Sequence, residues 1–174
     1  MNSNQDRPLL QSLARQIQLI FFDFDGVFTD NRVLVLQDGT EGVICSRADG
    51  LGIEALKLLG VKLIVLSKEK NPVISKRCQK LNIPCIQGCD NKAEILNQEA
   101  KKMGVSLKEI AYMGNDINDL ECLKIVGLPA CVIDSHQDVI AVSLYVTQAK
   151  GGHGAVREFC DYIVKVKTEE KYTE

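Results

Sequence analysis

Six short apolar runs recur along the chain, at Gln18–Phe22, Val61–Leu66, Pro84–Ile86, Ile110–Met113, Ala130–Val132 and Leu144–Val146. Their length and apolar content predict buried strands. Between them lie Gly50–Leu59, Pro72–Leu81, Lys92–Met103, Asn118–Val126 and Gln137–Ala141, with a further short helix at Leu9–Gln16 ahead of the first run. There apolar residues return every three or four positions, as in Ile53, Leu56 and Leu59 or Ala93, Leu96, Ala100 and Met103, which predicts helices with one buried face. Asn71-Pro72 has the order of a helix cap followed by its first residue, and Gly60, Gly104 and Gly127 stand just past predicted helix ends. Strand and helix alternate. That order predicts an α/β fold, a Rossmann-like three-layer sandwich whose mainly parallel sheet binds ligands at the carboxyl ends of its strands.

One stretch breaks the alternation. Arg32–Leu36 and Gly42–Cys45 flank Gln37-Asp38-Gly39-Thr40, a hairpin signal with Asp-Gly at its tip. With 174 residues, 45% of them hydrophobic, the chain has enough material for one domain and too little for two ordinary ones. The expected layout is a core over about 17–150, a hairpin over about 31–45, and a Gly-rich tail and helix over 150–167.

A net charge of −2 and scattered Lys and Arg give no electrostatic footprint for nucleic acid or a membrane surface. No apolar stretch has the length of a membrane span, and the polar start lacks the plan of a secretory signal, so a cytoplasmic protein acting on a small molecule is expected. The seven cysteines lie on or beside apolar segments, which suits reduced core thiols; Cys85 and Cys89, with no histidine nearby in sequence, make a poor zinc site.

Chemistry concentrates at strand ends. The first run ends in Asp23-Phe24-Asp25-Gly26, which projects two carboxylates to one side of an extended strand just before a turn. Such a pair suits metal-assisted phosphoryl transfer, with one aspartate attacking phosphorus and the other serving as acid and base; a solvated turn is the alternative. Ser67 ends the next long strand and can donate to a phosphate oxygen. Lys92 opens a helix, where a cation is unfavourable unless something anionic offsets it. Gly114-Asn115-Asp116-Ile117-Asn118-Asp119 follows the fourth run with a cluster of oxygen donors suited to Mg²⁺. His136 reads as a helix-cap neighbour, and His153 lies in the Gly-rich segment.

In this order, Asp23-x-Asp25-Gly, Ser67, Lys92 and Gly114-Asn-Asp-x-x-Asp119 resemble the four signature motifs of the haloacid dehalogenase-like phosphatases. The hairpin in place of a cap domain, Asp49-Gly50-Leu-Gly-Ile and Gly151-Gly152-His-Gly-Ala-Val-Arg157-Glu resemble the 3-deoxy-manno-octulosonate 8-phosphate phosphatases and their nonulosonate 9-phosphate relatives. The resemblance implies Asp23 as nucleophile, Asp25 as acid/base, and Ser67 and Lys92 as positioners of phosphate. It implies an Mg²⁺ site of Asp23, Asp25 and Asn115, with Asp116 and Asp119 as further candidate ligands. Substrate contacts are expected from Ser46, Arg47, Asp49, Gly50, Glu69 and Arg77, and from Gly151, Gly152 and Arg157 in a tail closing over a neighbour's site. A homotetramer packed through its hairpins and a cytidylyltransferase as functional partner are implied as well. The competing expectation is a non-catalytic module that organises such a cytidylyltransferase.

The chain departs from the family's pattern in three places. Asn115 stands where Asp is common, which removes one charge from the metal site. Ser67-Lys68-Glu69 stands where octulosonate enzymes often carry Thr-Gly-Arg, bringing the chain closer to relatives that handle nine-carbon acids or are fused to cytidylyltransferases. Arg47 is displaced by one position from the arginine often found beside Asp49.

Overall fold

The computed structural model describes residues 6–169. After α1 (Asp6–Gln16), strand β1 (Leu19–Phe22) forms the centre of a six-stranded sheet with β4 (Lys62–Leu66), β5 (Cys85–Ile86), β6 (Ile110–Gly114), β7 (Leu128–Cys131) and β8 (Tyr145–Val146). The order is β5-β4-β1-β6-β7-β8 and every pairing is parallel. The fold is the α/β sandwich that the alternation predicts. Leu19 faces Lys62 on one side and Ile110 on the other, so β1 is flanked along its whole length and all four of its residues are buried.

Because side chains alternate across a strand, β1 feeds both faces of the sheet. Ile20 and Phe22 join a core beneath α1, α2 (Ala48–Leu58) and α7 (Ala155–Glu169), while Leu19 and Phe21 join another beneath α4 (Lys92–Met103), α5 (Leu120–Ile125) and α6 (Gln137–Val142). Each fully buried Phe contributes roughly 2–3 kcal/mol of transfer free energy, so β1 is pinned from both sides. The predicted caps form in α3 (Pro72–Leu81), where Asn71 Oδ1 accepts the Val73 N–H at 3.0 Å, and in α4, which ends at Gly104 in the left-handed region.

Some boundaries differ from the sequence reading. The helix expected over Asn118–Val126 begins as a 3₁₀ turn over Ile117–Asp119 and turns α-helical only at Leu120. Strand β7 starts two residues earlier than the apolar run implies and contains Pro129. Proline survives there because its carbonyl accepts the Leu144 N–H at 2.9 Å, and a parallel residue points both backbone groups at one neighbour; the missing N–H therefore faces Val142, before β8 begins.

The hairpin is present but short. Its strands β2 (Leu34–Val35) and β3 (Glu41–Gly42) pair antiparallel, Asp38 Oδ1 accepts the Thr40 N–H within the tip, and a bridge from Thr29 to Cys45 closes the base. Among the described residues it is the one excursion between β1 and α2 where a cap domain could stand. Val43 and Cys45 pack against the core, but the other apolar residues remain exposed, Leu34 at 65% and Ile44 at 77%.

Candidate active site

The carboxyl ends of β1, β4 and β6 meet around Asp23. Just past Phe22 the chain bends at Phe24, which packs into the core with its ring stacked on Phe28 at 5.6 Å, while Asp23 and Asp25 line the cleft. The turn then closes on Phe24, whose carbonyl accepts the N–H groups of Val27, Phe28 and Thr29, and Thr29 Oγ1 takes the Gly26 N–H at 3.0 Å. The Asp25 carbonyl takes part in none of these bonds. Gly26 has φ +78°, and a Cβ on it would overlap the Asn115 amide, so only glycine lets β1 and β6 bring Asp25 and Asn115 together.

Lys92, 4% exposed, lies between two carboxylates, 2.8 Å from Asp23 Oδ1 and 2.8 Å from Asp119 Oδ1. These are the anions that offset a cation at the start of α4. Burial alone would lower the Lys92 pKa, but Asp23 and Asp119 outweigh it and hold the ammonium above its ordinary value. Asp23 Oδ1 also accepts the Phe24 N–H at 2.7 Å, which leaves Oδ2 as its uncommitted oxygen. Burial, then the Asp119 charge, push the Asp23 carboxyl up to about 7 against the pull of Lys92. Asp25 is raised as well, first by burial and then by the Glu69 charge. Ser67 Oγ accepts the Glu69 N–H at 3.1 Å, so its own proton remains available to a ligand.

The donor set fits a hard divalent cation. Asn115 is 7% exposed and its Oδ1 is buried without a hydrogen-bond partner, an arrangement that costs free energy unless something electropositive arrives. The Asp23 carboxylate, the Asp25 carbonyl and this amide oxygen supply the oxygen-only chemistry that Mg²⁺ prefers. Among the described residues no group of three His, Cys, Asp or Glu side chains forms a cation site, in keeping with a set in which one ligand is an amide and another a backbone carbonyl.

Asp119 stands elsewhere. Its Oδ1 takes Lys92 and the Tyr112 hydroxyl (2.6 Å), and its Oδ2 takes the N–H groups of Asn115 (2.9 Å) and Asp116 (3.2 Å). Both oxygens are spent on positioning the β6 loop and Lys92, so Asp119 is not placed as a metal ligand. Asp116 lines the cleft, but its Oδ1 caps Ile117 N–H at 2.7 Å.

Of the expected substrate contacts only Glu69 lines the cleft. Ser46, Arg47, Asp49, Gly50, Arg77 and Arg157 fall instead around the joint of α2, α3 and α7. Arg77 donates to the Ser46 carbonyl at 2.7 Å, Asp49 Oδ1 accepts the Arg157 N–H at 3.2 Å, and the Arg157 guanidinium pairs with Asp161 at 2.7 Å. Gly50 packs toward Leu81, and Arg47 is exposed at the start of α2. Gly151 and Gly152 lie against the turn of their own chain after Asp25, with Gly152 N–H on the Val27 carbonyl at 3.1 Å and Gly151 N–H on Asp134 Oδ1 at 3.0 Å. A side chain on Gly151 would collide with the Gly26 carbonyl. His136 caps α6, accepting the Asp138 N–H on Nδ1 at 3.3 Å, and His153 Nδ1 lies 2.8 Å from the Gly151 carbonyl.

Three participants escape the sequence reading. Tyr112 looks like one more residue of an apolar strand; its one signal is a hydroxyl among aliphatics, which needs a buried partner. Asp134 reads as a loop residue. Asn31 reads as the approach to the hairpin, yet it lines the cleft.

These features, an Asp pair at the central strand end, a hydroxyl, a lysine and an acidic β6 loop on a parallel α/β sheet, are those of a haloacid dehalogenase-like hydrolase, and the family model for that group matches residues 66–159. The chain belongs to this family, and it is a phosphatase. The 3-deoxy-D-manno-octulosonate 8-phosphate phosphatase of Salmonella typhimurium is 31% identical over 158 residues, 90% of this chain and 84% of that protein. The Moraxella catarrhalis 3-deoxy-D-manno-octulosonate 8-phosphate phosphatase, solved in complex with magnesium, phosphate and 3-deoxy-D-manno-octulosonate (KDO), superposes with a TM-score of 0.90 at 34% identity, covering 94% of each chain. The cobalt-bound deoxy-D-mannose-octulosonate 8-phosphate phosphatase of Haemophilus influenzae superposes at 0.86 with 28% identity, covering 93% of this chain and 95% of that one.

Proposed function

We propose that the protein hydrolyses the phosphate monoester of a 2-keto-3-deoxy sugar acid, 3-deoxy-manno-octulosonate 8-phosphate or a nonulosonate 9-phosphate, with Mg²⁺. The observation that carries this reading is the grip on Asp23: Lys92 and the Phe24 N–H hold Oδ1, so Oδ2 is the oxygen free to attack. Supporting the substrate class are the names of the relatives; supporting the cation are the orphaned Asn115 oxygen and the magnesium and cobalt of the solved relatives.

Phosphate enters where the Ser67 hydroxyl can donate to it and Lys92 can neutralise it. Asp23, the Asp25 carbonyl and Asn115 would hold Mg²⁺, which supplies positive charge against the phosphate oxygens. Asp23 Oδ2 then attacks phosphorus in line, the bond to the sugar oxygen breaks, and Asp25 gives that oxygen its proton. Burial and the Glu69 charge raise the Asp25 carboxyl, the direction that suits a proton donor. Water then attacks the aspartyl-phosphate, Asp25 takes its proton back, and inorganic phosphate leaves with Asp23 restored.

The exposed Leu34, Val35 and Ile44 of the hairpin support self-association through that element, in a homotetramer. Retention of Asp23 and of its Lys92 contact speaks for catalysis over a purely scaffolding role beside a cytidylyltransferase. Phosphate release from the eight- and nine-carbon esters, measured with Mg²⁺ and with EDTA, tests the reading. Release that depends on the cation supports it; a silent panel and no Mg²⁺ binding would favour the scaffold.

A further inference from the structure

The catalytic cleft, about 280 Å³, does not end at Asp25. A second cleft of about 280 Å³ continues outward between the hairpin and the start of α3, walled by Val33, Val43, Val73 and Ile74. Its rim is tied by Asn71 Nδ2 donating to Glu41 Oε2 at 2.6 Å. Three residues line both clefts: Asp25, Asn31 and Glu69. They mark the passage between the phosphate end and whatever the phosphate is attached to.

Asn31 is the unusual member of the three. Its φ of +62° lies in the left-handed region, which glycine occupies without penalty and Asn tolerates better than most residues. The backbone therefore accepts glycine or Asn here and does not itself require the amide. Asn31 is exposed in the passage, its N–H is fixed on Thr29 Oγ1 at 3.2 Å, and its side-chain amide has no hydrogen-bond partner among the described residues. An amide offers both donor and acceptor, the complement of an alcohol hydroxyl, whereas the neighbouring Asp25 and Glu69 are acids.

Resting on the phosphatase reading above, we propose that Asn31 is a specificity residue that hydrogen-bonds the hydroxyl on the carbon next to the phosphorylated carbon. It would select phosphate esters of polyols over esters whose leaving group has no hydroxyl beside the ester oxygen. The leaving group then extends along the outer cleft, its carbon face against the four aliphatic side chains.

The test is Asn31→Gly, which fits the left-handed backbone and removes only the amide. kcat/KM is measured for the better of octulosonate 8-phosphate and nonulosonate 9-phosphate and for p-nitrophenyl phosphate, with a thermal melt to confirm the fold. The expected result is a fall of about tenfold or more in the polyol-to-nitrophenyl ratio, as loss of a hydrogen bond to a substrate hydroxyl gives. A ratio unchanged within about twofold in an active, folded variant overturns the assignment of Asn31 while leaving the phosphatase reading intact. A wild-type protein that cleaves neither kind of ester overturns the proposed function itself, and the role of Asn31 with it.

Discussion

Tyr112 donates its hydroxyl to Asp119 Oδ1 across 2.6 Å from the middle of a fully buried strand, and the same oxygen lies 2.8 Å from Lys92 Nζ. A residue that belongs to the core by position thus belongs to the site by contact. Through Asp119, Tyr112 fixes the ammonium that grips Asp23. Tyr112→Phe removes one hydrogen bond to a buried carboxylate, about 1.5–3 kcal/mol. The expected outcome is a Tm lower by several degrees and a kcat reduced about tenfold with KM little moved. A lower Tm with unchanged kcat would make Tyr112 a structural residue only.

Asn115→Asp places a third carboxylate beside Asp23 and Asp119. Without a cation the added buried charge is repelled, so the EDTA-treated variant should melt below wild type at pH 8. With Mg²⁺ the extra charge tightens the site, so the Mg²⁺-induced rise in Tm should exceed that of wild type and the half-saturating Mg²⁺ concentration should fall several-fold. Equal Mg²⁺-induced shifts in the two proteins would remove Asn115 from the metal site.

Asp49 is 1% exposed, and burial pushes its carboxyl up to about 6 despite the Arg157 N–H and the more distant Arg77 charge. For a carboxyl raised from 3.8, the folded state favours the protonated form. The resulting stability is fully present below the unfolded value and is lost as pH rises through the folded one, by about 2–3 kcal/mol. Asn keeps the acceptor for Arg157 and carries no charge. Asp49→Asn should therefore raise Tm by roughly 3–6 °C at pH 8 and by little at pH 4.5, as read by melts across that range. A uniform loss at both values would show that the Asp49 charge supports the fold.

Much of this architecture is legible in the amino-acid order. The strand–helix alternation and the caps at Asn71 and Gly104 are local signals, and local signals survive folding. Pro129 hides the start of β7 because only the length of the neighbouring strand decides whether its missing N–H matters. At the site, Asp23, Asp25, Ser67, Lys92 and Asn115 stand at strand or helix ends, where topology alone brings them together. Arg77, which looks free to meet a substrate, is instead bound to the Ser46 carbonyl 31 residues away by a contact that no spacing rule displays, whereas Arg157 takes Asp161, the i,i+4 partner that helical spacing does offer. Asp119 shows the reverse: its motif suggests a ligand, and four hydrogen bonds commit it to holding the others.

The proposed chemistry turns on Asp23 as the nucleophile of a sugar-acid phosphatase. It is tested most directly by phosphate release from octulosonate 8-phosphate or nonulosonate 9-phosphate in Mg²⁺, comparing wild type with Asp23→Asn. Wild type should turn over, and the folded variant should lose at least about a thousandfold, since the amide oxygen is a far weaker nucleophile. Near-wild-type release by Asp23→Asn would contradict it.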